Sequence, residues 1–351
     1  MSEAKSGNER HSGPGFRFAH PGYRLRREKP IVIKTGVFLA AALALASPAV
    51  RAQTYPSRQI TLIIPFAVGG SNDIVGRAIG RKLTEVWGQP VVVENRSGAG
   101  GIIGSSTVAA APPDGYTLLL VSSTFTINPA IKKSMPFDTV KDFTPVAFIA
   151  RSPLLLTASN NLAVKSAKEL LALAAAKPGQ ISYASAGPGS INQISAELIA
   201  LSAGVKLMHV PYRGGAPALN DLVGGHVDVY VSSLPQVLQL AQKGQVKALA
   251  VTSAERTALL PDVPTLAESG IAGFDVWSWW GIVGPAGMPA DVVHALNAEI
   301  GKMLNSPELS TFLSSEGAEA KAMTPREFGE LMRAETERWT KVAHEAHISI
   351  D

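Results

Sequence analysis

The chain has 351 residues, 46% of them hydrophobic, and no cysteine. That length can bury a large core and is long enough for two lobes; the missing cysteines exclude disulfides, thiolate metal sites, cysteine nucleophiles and a lipid-modified N-terminal cysteine. The formal charge of +4 is unevenly placed: residues 1–52 carry nine Lys/Arg and three Asp/Glu, which leaves 23 basic and 25 acidic residues in the rest, a balance that gives no reason to bind nucleic acid or an anionic membrane.

The basic start reads as an export signal. Arg24, Arg26, Arg27, Lys29 and Lys34 precede an uncharged stretch at 36–46, and Val50-Arg51-Ala52 offers a cleavage site before Gln53. The alternative is a single membrane anchor, but the stretch is shorter than the roughly 20 residues a spanning helix needs, and Ser47-Pro48 break it early. Residues 1–52 are therefore taken as a signal-peptide region and the mature chain as secreted.

From residue 60 onward, strand and helix patterns alternate. Strands are predicted at 60–65, 91–95, 117–121, 146–150, 154–158, 182–184, 207–210, 227–231, 248–252 and 275–283. Helices are predicted at 73–87, 101–110, 167–177, 190–202, 216–223, 234–243, 289–304, 307–315 and 325–346. Gly88-Gln89-Pro90 and Lys177-Pro178-Gly179 supply helix stops. The pattern is α/β, with mainly parallel, buried strands. Two extended runs, 148–157 (two short strands joined through Arg151-Ser152-Pro153) and 274–284, read as crossings between lobes. They place 53–155 and 278–351 in lobe one and 156–277 in lobe two, with a ligand cleft between.

The strongest chemical signal is the turn Phe66-Ala67-Val68-Gly69-Gly70-Ser71-Asn72-Asp73, which joins an apolar strand to a helix. Such a turn aims free backbone N–H groups and the positive helix end at one point, where a carboxylate or phosphate can bind. It contains no Lys, which argues against a Walker-type nucleotide loop. Asp73 is placed to cap the helix or brace the loop. The competing reading is a strand–helix turn without a ligand. Ala184-Ser185-Ala186-Gly187-Pro188-Gly189-Ser190 repeats the same form in the second lobe, and two such turns facing one cleft could hold the two ends of one ligand.

Other constellations are weaker. Gly98, Gly100, Gly101 and Gly104 also follow a strand, but the last glycine comes one residue late for a dinucleotide fingerprint; close helix–sheet packing explains them equally well. Ser122, Ser123 and Thr124 end a strand, where α/β proteins place ligand contacts. His209, His226, His294, His344 and His347 form no HExxH pair, no Gly-x-Ser-x-Gly elbow occurs, and a packed role suits His209 better than catalysis. No acidic cluster has metal-ligand spacing. Trp277 and Trp279 would share one face of a strand and Trp280 the other, either walling the cleft or packing the hinge.

These segments together resemble the extracytoplasmic substrate-binding receptors of tripartite tricarboxylate transporters, the Bug-type receptors. The resemblance covers nearly all of 55–343. It rests on Tyr55-Pro56, Phe66-x-x-Gly69-Gly70-x-x-Asp73 with Arg77, Val93-Glu94-Asn95-Arg96-x-Gly98-Ala99-Gly100-Gly101, and Pro112-Pro113-Asp114-Gly115-Tyr116-Thr117. It continues through Lys141-Asp142-Phe143-Thr144-Pro145, His209-Val210-Pro211-Tyr212-Arg213-Gly214, Gly224-Gly225-x-Val227-Asp228 and Leu260-Pro261-Asp262-Val263-Pro264-Thr265. It implies a type II periplasmic binding protein with two mixed or parallel sheets, helices on both faces and two crossovers, which hands a small carboxylated solute to membrane permease subunits. The family's ligand loops fall on 66–73 and 184–193. Two departures stand out: Ala67-Val68 where many relatives have proline, and Gln193 where many have His.

The sequence thus reads as a monomeric periplasmic receptor for a small organic carboxylate, with no cofactor, no metal and no catalytic residue. The expected ligand-binding residues are Phe66, Gly69, Gly70, Ser71 and Asp73 in the first loop, Ser122 and Ser123 on the cleft floor, and Ser185, Gly187, Ser190, Gln193 and Ser233 from lobe two. The alternatives are an α/β enzyme acting on a carboxylated substrate, with Asp73 or His209 as base, and a receptor that reports its ligand to a membrane sensor. The ligand stays open among mono-, di- and tricarboxylates, amino acids and aromatic acids, with the tryptophans leaning towards the last.

Overall fold

The computed structural model describes residues 55–345; the signal-peptide region 1–52 lies outside them. Ten strands and ten α-helices alternate along the described chain. The first strands are β1 (Ile60–Ile64), β2 (Val91–Asn95) and β3 (Thr117–Ser122), with β1 parallel to both neighbours. β9 (Trp277–Pro285) runs antiparallel to β3, and β4 (Phe143–Ala158) antiparallel to β9. Beyond residue 153, β4 changes partners. Its last part pairs on one side with β7 (Val229–Ser233) and on the other with β8 (Lys247–Val251). β5 (Ser182–Ser185) lies parallel to β7, and β6 (Met208–Pro211) parallel to β5. Two half-sheets therefore share β4, and a short β10 (Glu319–Ala320) pairs with its middle at Ala150 and Arg151.

Two sequence expectations change here. The run at 148–157 is part of one 16-residue strand, not two strands with a break. Pro153 is tolerated because a residue without an N–H costs least where the strand changes partners: it faces Trp277, and Leu154 then opens the second ladder. A helix also follows β3 directly, at Ser123–Ile131. β-branched residues and Pro129 hide it from propensity, and burial on both sides forms it.

The helices follow the strand faces. Leu62 and Ile64 point to one face of the first half-sheet and pack under α1 (Ser71–Trp87), through Val75, Ile79 and Leu83, and under α8 (Ala290–Leu304). Ile63 points to the other face, towards Val108 of α2 (Ile102–Ala109), Phe125 of α3 (Ser123–Ile131) and Phe328 of α10 (Pro325–Glu345). In the second half-sheet, Leu154 and Leu156 pack against α4 (Ala167–Ala176) and α5 (Ile191–Ser202), while Leu155 packs against α6 (Gly215–Gly224) and α7 (Leu234–Gln242). The period-two switch between faces, with helices on both, is what a fully buried α/β sheet requires. α3 and α10 serve both halves: Phe125, Phe328 and Met332 pack with the first, whereas Ile127, Ile131, Trp339 and Ala343 pack with the second. A further helix, α9 (Pro307–Ser315), leads into β10 and completes the set.

Candidate ligand-binding site

The turn after β1 is held by one carboxylate. Asp73, 3% exposed, accepts from the Gly69 N–H at 3.0 Å, from Asn95 Nδ2 at 2.9 Å, and from Arg77 Nε at 2.9 and 3.0 Å. Arg77 Nη2 donates to Asn95 Oδ1 at 2.9 Å, and Asn95 Nδ2 also donates to the Phe66 carbonyl at 3.0 Å. Burial alone would raise the Asp73 pKa, but the donors on Arg77, Gly69 and Asn95 outweigh it and hold the carboxyl below its ordinary 3.8. Asp73 is thus ionised and fully engaged in bracing the loop, a poor base and a poor ligand contact. Gly69 adopts φ +81°, which a side chain would resist. A Cβ there would sit 3.4 Å from Ala216 Cβ, so the turn rests against the start of α6.

The turn after β5 is braced without charge. Ser185, fully buried, lies 2.6 Å from His209 Nε2 through its Oγ and accepts the Gly187 N–H at 3.2 Å. The His209 ring stacks on Tyr183, and burial pushes its pKa below 6.5, so it is neutral near pH 7. Ser190 caps α5, its Oγ accepting the Gln193 N–H. Gln193 returns a bond: its Oε1 accepts the Gly189 N–H at 2.8 Å. This is a displaced form of the Ser-x-x-Gln capping box. The Ile191 N–H donates across to Thr124 Oγ1 of α3 at 3.2 Å.

A cavity of about 550 Å³ lies between these turns. Its wall is made by Phe66, the glycine turn 98–101, the tip 186–188, the segment 211–213 and Pro217. It is mostly apolar, and Arg213 is its one charged side chain. Among the described residues, the backbone N–H groups of Ala99, Gly100 and Ala186 have no hydrogen-bond partner. Gly100 adopts φ +66° and lies so close to the second turn that a Cβ would collide with the Pro188 carbonyl. Free N–H donors, apolar walls and no acidic group suit a small anion with an organic body.

Of the residues predicted to bind, Phe66 and Gly187 line this cavity. Gly69, Gly70, Ser71 and Asp73 form the turn next to it, with a Gly70 Cβ position 3.7 Å from the Gly215 N. Ser185, Ser190 and Gln193 brace the second turn from behind. Ser122, the last residue of β3, and Ser123, the first of α3, are buried; Ser123 Oγ accepts the Trp279 N–H at 2.9 Å, tying the helix start to β9. Ser233 is buried at the start of α7. The tryptophans lie elsewhere: Trp280 and Trp279 sit in the two cores of the first half-sheet, and Trp277 stacks under Arg151, whose guanidinium carbon is 4.2 Å from the ring centre. Sequence reasoning missed 98–101 as a wall. Its strand–glycine–helix form matches the other two turns, but a test for dinucleotide spacing discards it.

Comparison with known proteins agrees with this architecture. Residues 75–348 match the model of the tripartite tricarboxylate transporter family receptor. A protein from the tcbD-tcbE intergenic region of Pseudomonas sp. strain P51 is 40% identical over 317 residues, covering 89% of this chain and 94% of its own length. BugT of Bordetella pertussis is 36% identical over 312 residues, covering 88% and 95%. Among solved structures, R. palustris Rpa4515 with adipate superposes with a TM-score of 0.82 at 37% identity, covering 84% of this chain and 99% of that one. MatC of Rhodopseudomonas palustris with bound malate gives 0.79 at 34% identity, covering 82% and 99%. The matched folds are those of solute-binding proteins and not of enzymes, and this chain belongs to the tripartite tricarboxylate transporter receptor family.

Proposed function

We propose that this protein captures a small organic carboxylate in the cavity walled by 98–101 and 186–188, and delivers it to the permease subunits of a tripartite tricarboxylate transporter. The observation that carries this reading is the set of free N–H groups on Ala99, Gly100 and Ala186 around an apolar space with no acidic side chain. Neutral backbone donors hold a carboxylate without the cost of burying a countercharge, which suits a receptor that must release its cargo. Related proteins solved with adipate and malate support the carboxylate class. Capture proceeds by approach of 53–155 and 278–351 towards 156–277, in the periplasm, with residues 1–52 removed and the protein a monomer. Phe66 and Gly187 meet the ligand. Gly69, Gly70, Ser71, Asp73, Ser122, Ser123, Ser185, Ser190, Gln193 and Ser233 keep their place in the site as the frame around it.

The contact between Gly100 and Pro188 supplies the test. Gly100→Asn keeps a residue that tolerates left-handed backbone, yet its Cβ meets the Pro188 carbonyl when the two turns close. The variant is expected to fold, and to lose at least tenfold in affinity for the acids that stabilise the wild type in a thermal-shift panel. Binding of an organic acid that survives this substitution unchanged would remove the cavity from the reading; no response to any acid, in refolded ligand-free wild type, would remove the carboxylate.

A further inference from the structure

Two fully buried hydroxyls, those of Ser123 and Thr252, lie outside the cavity wall and bond to the backbone where the chain passes between the half-sheets. Thr252 follows β8. Its Oγ1 accepts the Leu154 N–H at 2.8 Å and donates to the Val276 carbonyl at 2.7 Å. Its backbone repeats the link: the Thr252 N–H donates to the Leu154 carbonyl at 2.9 Å, and the Val276 N–H donates to the Thr252 carbonyl at 3.0 Å. One residue thus ties the first crossing, at Leu154, to the second, at Val276. Ser123 holds the second crossing from the other side, where its Oγ accepts the Trp279 N–H at 2.9 Å and donates to the Trp277 carbonyl at 3.5 Å.

These bonds leave one link free on each crossing. On the first, Ser152 and Pro153 are the last residues paired with β9, and Leu154 is the first held by β7 and Thr252. Pro153 has no N–H to anchor it to either ladder. On the second, Val276 is held by Thr252, whereas Trp277 pairs with Pro153 and is held by Ser123. The two helices that pack on both half-sheets also touch this second crossing. α3 does so through Ser123, and α10 through Arg338 Nη2, which donates to the Asp275 carbonyl at 3.0 Å. Parts close to a rotation axis move least, so packing that bridges the halves is tolerated there.

We propose that Thr252 yokes the two crossings and confines closure to the links 153–154 and 276–277, so that the lobes turn as rigid bodies about one axis. A hinge is a few residues that absorb the change in φ and ψ, and the hydrogen bonds on either side decide which residues those are. Both hydroxyls are 0% exposed, so water does not replace a lost bond. Without the Thr252 hydroxyl, the Leu154 N–H and the Val276 carbonyl lose that partner, and the rotation spreads along both crossings. The ligand-free protein then samples wider openings, and ordering them on closure costs more conformational entropy. The proposal rests on the capture-by-closure reading above and adds the residue that fixes its axis.

The test uses the full chain, refolded to remove bound solute. The chain has no cysteine, so Val86→Cys in α1 and Val223→Cys in α6, both at exposed positions, carry one pair of spin labels, one on each lobe. Double electron–electron resonance reads the distance between them. Thr252→Val should broaden the ligand-free distance distribution and shift it to longer distances, and Thr252→Ser, which keeps the hydroxyl, should restore it. Ser123→Ala should broaden it from the other side of the second crossing, and it carries the test if Thr252→Val does not fold. Thr157→Val is the control. The Thr157 Oγ1 is equally buried and donates to the Tyr230 carbonyl at 2.7 Å, but inside the second half-sheet. Its loss should lower the melting temperature and leave the width unchanged. Wild-type widths in folded Thr252→Val or Ser123→Ala overturn the proposal, as does equal broadening by Thr157→Val. The distances are read without ligand, so failure of every acid to bind removes the receptor reading and leaves the hinge to be judged by these widths.

Discussion

The turns after β1 and β5 answer one structural problem with different chemistry. Each joins a buried strand to a helix through glycines. The first is clamped by an ion pair whose carboxylate is buried, with Asp73 gathering the Gly69 N–H, Asn95 and Arg77. The second is clamped by neutral groups: the Ser185 hydroxyl on the Gly187 N–H and the Gln193 amide on the Gly189 N–H. The first rests against the start of α6, and the second carries a wall of the cavity. Phe66 of the first turn and 186–188 of the second both line the cavity, but Asp73 is not part of its wall, so neither turn adds a fixed negative charge where an anion is to bind.

The largest effect is expected at the charged brace. Asp73→Ala leaves the Gly69 N–H without its acceptor and Arg77 without its partner. Because Arg77 is half exposed and can rehydrate, the loss should be about 2–3 kcal/mol, below that of a wholly buried pair. Thermal unfolding should show a drop of roughly 5 °C for a chain this large. The pH profile sharpens the point. The folded Asp73 pKa is lower than its unfolded value of 3.8, so its contribution is complete above that pH and disappears as pH falls towards the folded value. Acid unfolding of Asp73→Ala should lack this component; an unchanged acid limb would mean that the ion pair stabilises nothing.

The neutral brace should yield less. Gln193→Ala leaves the buried Gly189 N–H without an acceptor, at a cost of about 1–2 kcal/mol, while Ser190 still caps α5. Since Gly189 adjoins the cavity wall, ligand affinity should fall together with stability in urea unfolding. Affinity lost at constant stability would instead make Gln193 a direct ligand contact.

Much of the fold can be read from the chain because its signals are local. The β1 run 60–65, the stop at Gly88-Gln89-Pro90 and the double-glycine turns each specify their own conformation. What escapes is what distant packing decides. Ser123–Ile131 is helical because Phe125 and Ile127 fill two different cores, although Pro129 argues against it. Residues 143–158 form one strand because β9 and then β7 pair along it, whereas a local reading sees only Arg151-Ser152-Pro153. The site divides in the same way. Its two glycine turns are visible as turns, yet which residues face the cavity depends on how the segments 98–101 and 211–213 come to lie opposite them. Ser185 and Gln193 look like ligand contacts by residue type, and the structure turns the Ser185 hydroxyl and the Gln193 Oε1 to loop N–H groups.

The smallest effect concerns protonation of the second turn and separates it from the first by pH. Burial holds the His209 pKa below its unfolded value of 6.5. Above that value both states are neutral and pH has no leverage. As pH falls through 6.5, the unfolded chain binds a proton that the folded ring resists, so stability declines towards the folded pKa. For one proton the slope cannot exceed about 1.4 kcal/mol per pH unit. His209→Gln should flatten the stability profile between pH 6.5 and 5, at the cost of a uniform offset from the lost stack on Tyr183, and leave the Asp73 limb near pH 4 and below in place. If the variant keeps the decline below 6.5, the proton enters elsewhere and the turn behind the cavity is indifferent to mild acid; if the decline disappears, this turn loosens first as pH falls, while the Asp73 clamp still holds.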